Sequence, residues 1–233
     1  AFGHEAGTSV TTGTENLAVG RAVMRNSAGV TGKYNTGVGN FALNKVTGGC
    51  NTAVGGLALC GNTSGAFNTA VGVQTLCTNT SGSYNVAVGN RALLLNVTGG
   101  NNSAMGFDAL ANLTSGGHNT GIGYESLQGV TTGCYNVAVG SFTGDLNTFT
   151  GEANVLVGYA TGRRLTTGCC NALLGHNAGA NITTGITNTG VGTQTLGCTT
   201  TQSANTAVGY HALFNNAAAN NTAVGFDALQ ANS

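Results

Sequence analysis

One short phrase of polar, small, apolar and glycine positions returns along the whole chain. It reads Asn-Thr-Ala-Val-Gly, or a close variant, and starts at Asn16, Asn35, Asn51, Asn68, Asn85, Asn102, Asn119, Asn136, Asn154, Asn171, Asn188, Asn205 and Asn221. Successive asparagines stand 16 to 19 residues apart, most often 17. Half of a further unit precedes them, since Ala1-Phe2-Gly3 aligns with Ala18-Val19-Gly20. The full unit is Asn-Thr-Ala-Val-Gly-x-x-Ala-Leu-x-x-x-Thr-Thr-Gly-x-x, with columns numbered here from the asparagine. Column 4 is Val, Ile, Leu or Met in every full unit, and column 5 is always Gly. Column 9 is Leu in most units, Met24 in the first, and Gly144, Gly162 and Gly179 in three consecutive ones.

A 17-residue period is too short for a helical hairpin repeat, and no stretch holds a 3.6-residue apolar rhythm. Short extended runs broken by fixed glycine corners instead predict an all-β fold, a parallel β-solenoid or β-roll of about fourteen coils. With one strand spacing of ~4.8 Å per coil, the expected rod is on the order of 65 Å long. The Val and Leu columns are the expected core. So thin a core scarcely offsets the entropy of ordering each coil, which predicts a second face buried against partner chains. The leucine-to-glycine changes beside Arg163-Arg164 predict a bend or a thinner core. No linker or change of composition interrupts the repeat, so residues 1–233 are expected to be one solenoid domain, truncated within a repeat at both ends.

Composition narrows the function. Charged residues are 6% of the chain, Gly is 40 of 233, Pro and Trp are absent, and formal net charge is zero. Such a chain lacks the basic surface that attracts nucleic acid, and it has no apolar run long enough for a membrane span. At 41% hydrophobic residues it is not a disordered chain either. The repeat with its Ala-Val-Gly triplets and following small residues resembles the head repeats of trimeric autotransporter adhesins. It also resembles the Asn-Thr-Ala-Val-Gly-x-x-Ala-Leu arrays of phage tail-fibre and surface-fibre proteins. That resemblance implies a trimeric or filamentous fibre segment, extracellular, on a cell surface or in a virion, with other copies of itself as partner. The rival expectations are a carbohydrate-binding adhesin with glycan partners, or an ice-binding solenoid. The second is disfavoured because its repeated threonines, such as Thr131-Thr132 and Thr183-Thr184, are adjacent and face opposite ways.

Candidate chemistry is sparse. No nucleophile elbow, paired carboxylates, phosphate loop or zinc spacing occurs, and no catalytic residue, metal site or cofactor is expected. The thirteen asparagines of column 1 are expected to form a structural amide ladder. The aromatics Tyr34, Phe67, Tyr84 and Tyr135, one residue before that column, and Phe107, Tyr124, Tyr159, Tyr210 and Phe226, five after it, share the valine's parity. They are candidates for a core edge or a chain–chain seam. Charges in column 7 (Glu5, Arg91, Asp108, Glu125, His211 and Asp227) are expected to face solvent. Of seven cysteines, Cys60 and Cys77 share a column in adjacent coils, within reach of a disulfide. Candidate N-glycosylation sequons stand at Asn62, Asn79, Asn96, Asn112 and Asn181, the first three in one register.

Overall fold

A computed structural model describes residues 1–26 and 29–232. It is all-β: a parallel β-solenoid in which each coil contributes one three-residue strand at columns 2 to 4. The chain divides into two compact units, Ala1–His118 and the residues from Asn119 onward. The first unit holds β1 (Leu17–Val19), β2 (Thr36–Val38), β3 (Thr52–Val54), β4 (Thr69–Val71), β5 (Val86–Val88) and β6 (Ser103–Met105). The second holds β7 (Thr120–Ile122), β8 (Val137–Val139), β9 (Val155–Val157), β10 (Ala172–Leu174), β11 (Thr189–Val191), β12 (Thr206–Val208), β13 (Asn215–Asn216), β14 (Thr222–Val224) and β15 (Ala231–Asn232). Within each unit successive coils pair in parallel and in register, so Thr52 lies on Thr69, Ala53 on Ala70 and Val54 on Val71. A second short ladder joins β13 to β15. The half-unit at the start joins in as well, with Phe2 bridging to Val19.

The strands turn the expected core inside out at one column. Ala53 and Ala70 are fully buried, whereas Val54 and Val71 remain 38% and 37% exposed. The reason is parity. Column 1 asparagine is buried, and alternate residues of a strand share a face, so column 3 follows it inward and columns 2 and 4 point out. The valine column is therefore not core. Leu59, Leu76 and Leu93 in column 9 are, together with the small residues of column 8 and a fourth inward column, column 12. From Val46 to Ile182 that column reads Val46, Asn62, Asn79, Asn96, Leu113, Val130, Asn147, Leu165 and Ile182, all buried except the half-buried Asn147.

Left-handed backbone recurs at fixed places. Column 5 glycine has φ near +130°, as at Gly89, while columns 7, 9 and 17 hold non-glycine residues near +55°, such as Arg91, Leu93 and Tyr84. These turns let seventeen residues close a coil while backbone N–H groups bond to the next coil, for example Leu76 N–H to the Ala92 carbonyl at 3.0 Å. At Gly162 and Gly179 the core is not thinner, contrary to expectation. Column 3 in those coils is Leu156 and Leu173 rather than alanine, and a Cβ on Gly162 would stand 2.8 Å from Leu156 Cδ2. The volume has moved from one inward column to another.

Candidate functional site

The asparagines of column 1 form a continuous chain of amides inside each unit. Asn51 Oδ1 accepts the backbone N–H of Asn68 at 3.0 Å and its Nδ2 at 3.2 Å, and Asn68 Nδ2 also donates to the Gly82 carbonyl at 2.8 Å. The same triple contact recurs from Asn85 onto Asn68 and, in the second unit, from Asn171 onto Asn154. Each amide thus ties its own strand to the glycine corner at column 15. Corner and strand are held by one buried side chain, whose donors and acceptor are all used.

Asn62, Asn79 and Asn96 form a second ladder, which sequence reasoning read as a glycan register. Asn79 Nδ2 donates to Asn62 Oδ1 at 2.8 Å and to the Gly82 carbonyl at 3.0 Å, and all three side chains are fully buried. An outward glycan at these three positions does not fit that burial, because Nδ2 points into the core. The signal was available, since column 12 is Val, Leu or Ile in five other coils, at Val46, Leu113, Val130, Leu165 and Ile182. Asn112 is exposed, and Asn181 is half-buried with Nδ2 donating to the Gly197 carbonyl.

Column 7 also departs from expectation. Asp108 is 3% exposed and meets Arg91 Nε at 3.1 Å from the neighbouring coil, while His211 Nδ1 stands 3.5 Å from Asp227. Arg91 with Asp108 and His211 with Asp227 thus meet along the coil axis instead of standing singly. A third pair lies in column 10, where Arg163 Nε meets Asp145 at 3.2 Å. Burial pushes the Asp145 carboxyl above its ordinary 3.8, against the opposing pull of Arg163. A carboxyl raised on folding stabilises the fold below its unfolded value and loses that contribution as pH rises through the raised value. Melting temperature is accordingly expected to fall on raising the pH just above 4 by more in the native chain than in Asp145→Asn. Parallel pH–melting curves would check it.

The outer sheet face is the most distinctive surface. Column 2 (Thr36, Thr52, Thr69, Val86) and column 4 (Val38, Val54, Val71, Val88) alternate across it, and neither column carries a charge in either unit. The predicted aromatics flank it. Tyr34, Phe67, Tyr84 and Tyr135 are more than half exposed, and Phe107, Tyr124, Tyr159, Tyr210 and Phe226 are also exposed. They are not a core edge of the single chain. Several stack from coil to coil: Phe67 on Tyr84 at 5.0 Å and 3°, Tyr210 on Phe226 at 5.2 Å and 13°, and Tyr159 on His176 at 5.3 Å and 10°. Phe142 in column 7 was missed by the column argument, yet it sits edge-on between Tyr124 and Tyr159.

Among the described residues, no three His, Cys, Asp or Glu side chains gather as a metal site, and no helix is long and apolar enough to cross a membrane. Cys60 and Cys77 are brought together as free thiols, with their sulfurs 3.1 Å apart. Comparison with protein-family models, curated proteins and solved structures finds no match to this chain.

Proposed function

We propose that this chain is a structural segment of an extracellular, cell-surface or virion fibre, whose copies associate as a trimer through the uncharged outer sheet face or end to end as a filament. The observation that carries this reading is the placement of valine outside and alanine inside. Strand spacing of ~4.8 Å and a rise of ~3.3 Å per residue give the outer face of β1 to β6, with its aromatic borders, on the order of 500 Å². That extent is ordinary for the largest patch of a single chain, and what suits this face to association is its exposed valine and aromatic side chains with no charge in its strands. A face without charge suits apposition of identical copies, which would otherwise set like charges together.

Neither binding alternative gains as much from the geometry. Stacked rings spend their faces on one another, as Phe67 and Tyr84 do, and leave mainly edges for a sugar. The hydroxyl column that ice binding would use is interrupted by Leu17, Val86, Val137, Val155 and Ala172.

Absolute mass by light scattering after size exclusion tests the proposal. A mass near three chains or large polydisperse particles supports association, and Val71→Lys/Val88→Lys is expected to shift the trimer toward the single chain. A clean monomer for the native protein overturns the assembled-fibre reading.

A further inference from the structure

Seven cysteines are dispersed over the repeat, and one pair is placed differently from the rest. Cys60 and Cys77 stand in the same column of adjacent coils, so their backbones are one strand spacing apart, inside the Cα range of a disulfide. Their sulfurs are 3.1 Å apart, and Cys60 Sγ also lies 3.5 Å from the Cys77 carbonyl oxygen. Both thiols are half-buried and line an open groove of about 410 Å³ with Phe41, Leu57 and Lys45. Lys45 makes no ion pair among the described residues and is the cation of this groove. The pocket is large enough for part of a small molecule, is apolar on one side, and holds two sulfurs beside a positive charge.

We propose that Cys60 and Cys77 form a thiol–disulfide exchange site, with Cys77 as the attacking sulfur, Cys60 as the resolving sulfur, and an anionic low-molecular-weight disulfide as the oxidant. Cys77 Sγ attacks one sulfur of the oxidant, a Cys77–SR bond forms, the oxidant's S–S bond breaks, and the departing RS⁻ takes up a proton. Cys60 then loses its proton to solvent and attacks Cys77 Sγ, which closes the Cys60–Cys77 bond and expels the second RS⁻. Two protein thiols are oxidised and one disulfide is reduced to two thiols. The assignment of roles follows from the contact between them. Either sulfur could donate across their contact, but the second contact of Cys60 Sγ, onto the Cys77 carbonyl, favours Cys60 as the thiol that keeps its proton. With Cys60 donating, the Cys77 thiol comes down to about 7, while the shared proton and burial push Cys60 upward. A thiolate available near neutral pH is the attacking species, and Lys45 would draw a carboxylate-bearing oxidant to it. The product links the coil at residues 51–67 to the coil at 68–84.

The experiment treats the full native chain with glutathione disulfide near pH 7 and maps the products by peptide mass. The native chain is expected to join the Cys60 and Cys77 peptides, with loss of two hydrogens and no adduct retained on either of them. Cys60→Ser is expected to retain one glutathione on Cys77, since the resolving sulfur is gone and the serine hydroxyl can still donate to the thiolate. In Cys77→Ser, Cys60 is expected to react about tenfold more slowly. Lys45→Gln is expected to slow the reaction with glutathione disulfide but not with uncharged hydroxyethyl disulfide. In strong denaturant Cys60 and Cys77 become equivalent, which separates a folded-state effect from intrinsic reactivity. Equal rates at Cys77 in Cys60→Ser and at Cys60 in Cys77→Ser in the folded state, or a native chain whose Cys60 or Cys77 peptide keeps a mixed disulfide, would overturn the assignment.

Discussion

Gly89→Ala is expected to abolish the cooperative fold of the first unit. The residue sits at column 5 with φ of +130°, a region that L side chains rarely adopt. A Cβ there would lie 2.4 Å from the Gly106 carbonyl oxygen of the next coil, and that oxygen belongs to backbone, which cannot swing aside. Strain and overlap act together, so the loss should reach on the order of 4 kcal/mol or more, in the range reserved for special backbone sites. Gly56 is the matched control. It follows the column 5 glycine of its own coil, its φ is not positive, and an added Cβ would meet nothing within 4 Å. Gly56→Ala should change stability by no more than about 0.5 kcal/mol. Guanidinium unfolding followed by far-ultraviolet circular dichroism compares the two. Similar midpoints for both variants would show that the glycine column is dispensable.

The second large effect concerns the exchange of volume between columns 3 and 9. Leu156→Ala should cost about 2–5 kcal/mol, since it empties a fully buried leucine position opposite a glycine. Gly162→Leu alone should also destabilise, because its first carbon would meet Leu156 Cδ2 at 2.8 Å and Leu165 Cδ1 at 2.9 Å. Together the two changes recreate the alanine–leucine combination found in the coil with Ala104, Leu110 and Leu113, all buried. The double variant should therefore be more stable than the sum of the single losses by at least about 2 kcal/mol. A four-member denaturation cycle measures that coupling, and strict additivity would refute the account.

The same pair explains what could be read from sequence and what could not. The 17-residue period, the glycine corners and the asparagine column establish a parallel solenoid because only stacked coils make identical residues neighbours. The direction in which each column faces needed one more fact, the burial of the asparagine. An amide is usually placed outside and valine inside, so propensity argues for the opposite parity. The covariation was nonetheless present: column 3 is Ala or Gly everywhere except Leu156 and Leu173, the two coils whose own column 9 is Gly162 or Gly179. A column that enlarges only when another shrinks shares a packed space with it. Asn62, Asn79 and Asn96 were misread as sequons for a related reason, because a short sequence match outweighed the apolar company of their column. The closeness of Cys60 and Cys77 followed directly from the period, whereas their groove depends on Phe41, Leu57 and Lys45, which no common motif connects.

In the coils at residues 154–170 and 171–187 the compensating leucine and glycine lie within one turn of the chain. The match reaches across turns as well, since a Cβ on Gly144 would lie 3.5 Å from Leu156 Cδ1 and one on Gly190 3.0 Å from Leu173 Cδ2. Unequal crossing-over between repeats that copies or deletes a whole turn therefore keeps the leucine–glycine match inside that turn, whereas a single-codon exchange between the two kinds of turn passes through a damaged intermediate. Heredity in this molecule favours the coil as its unit of change, and array length can drift faster than the residues that fill it.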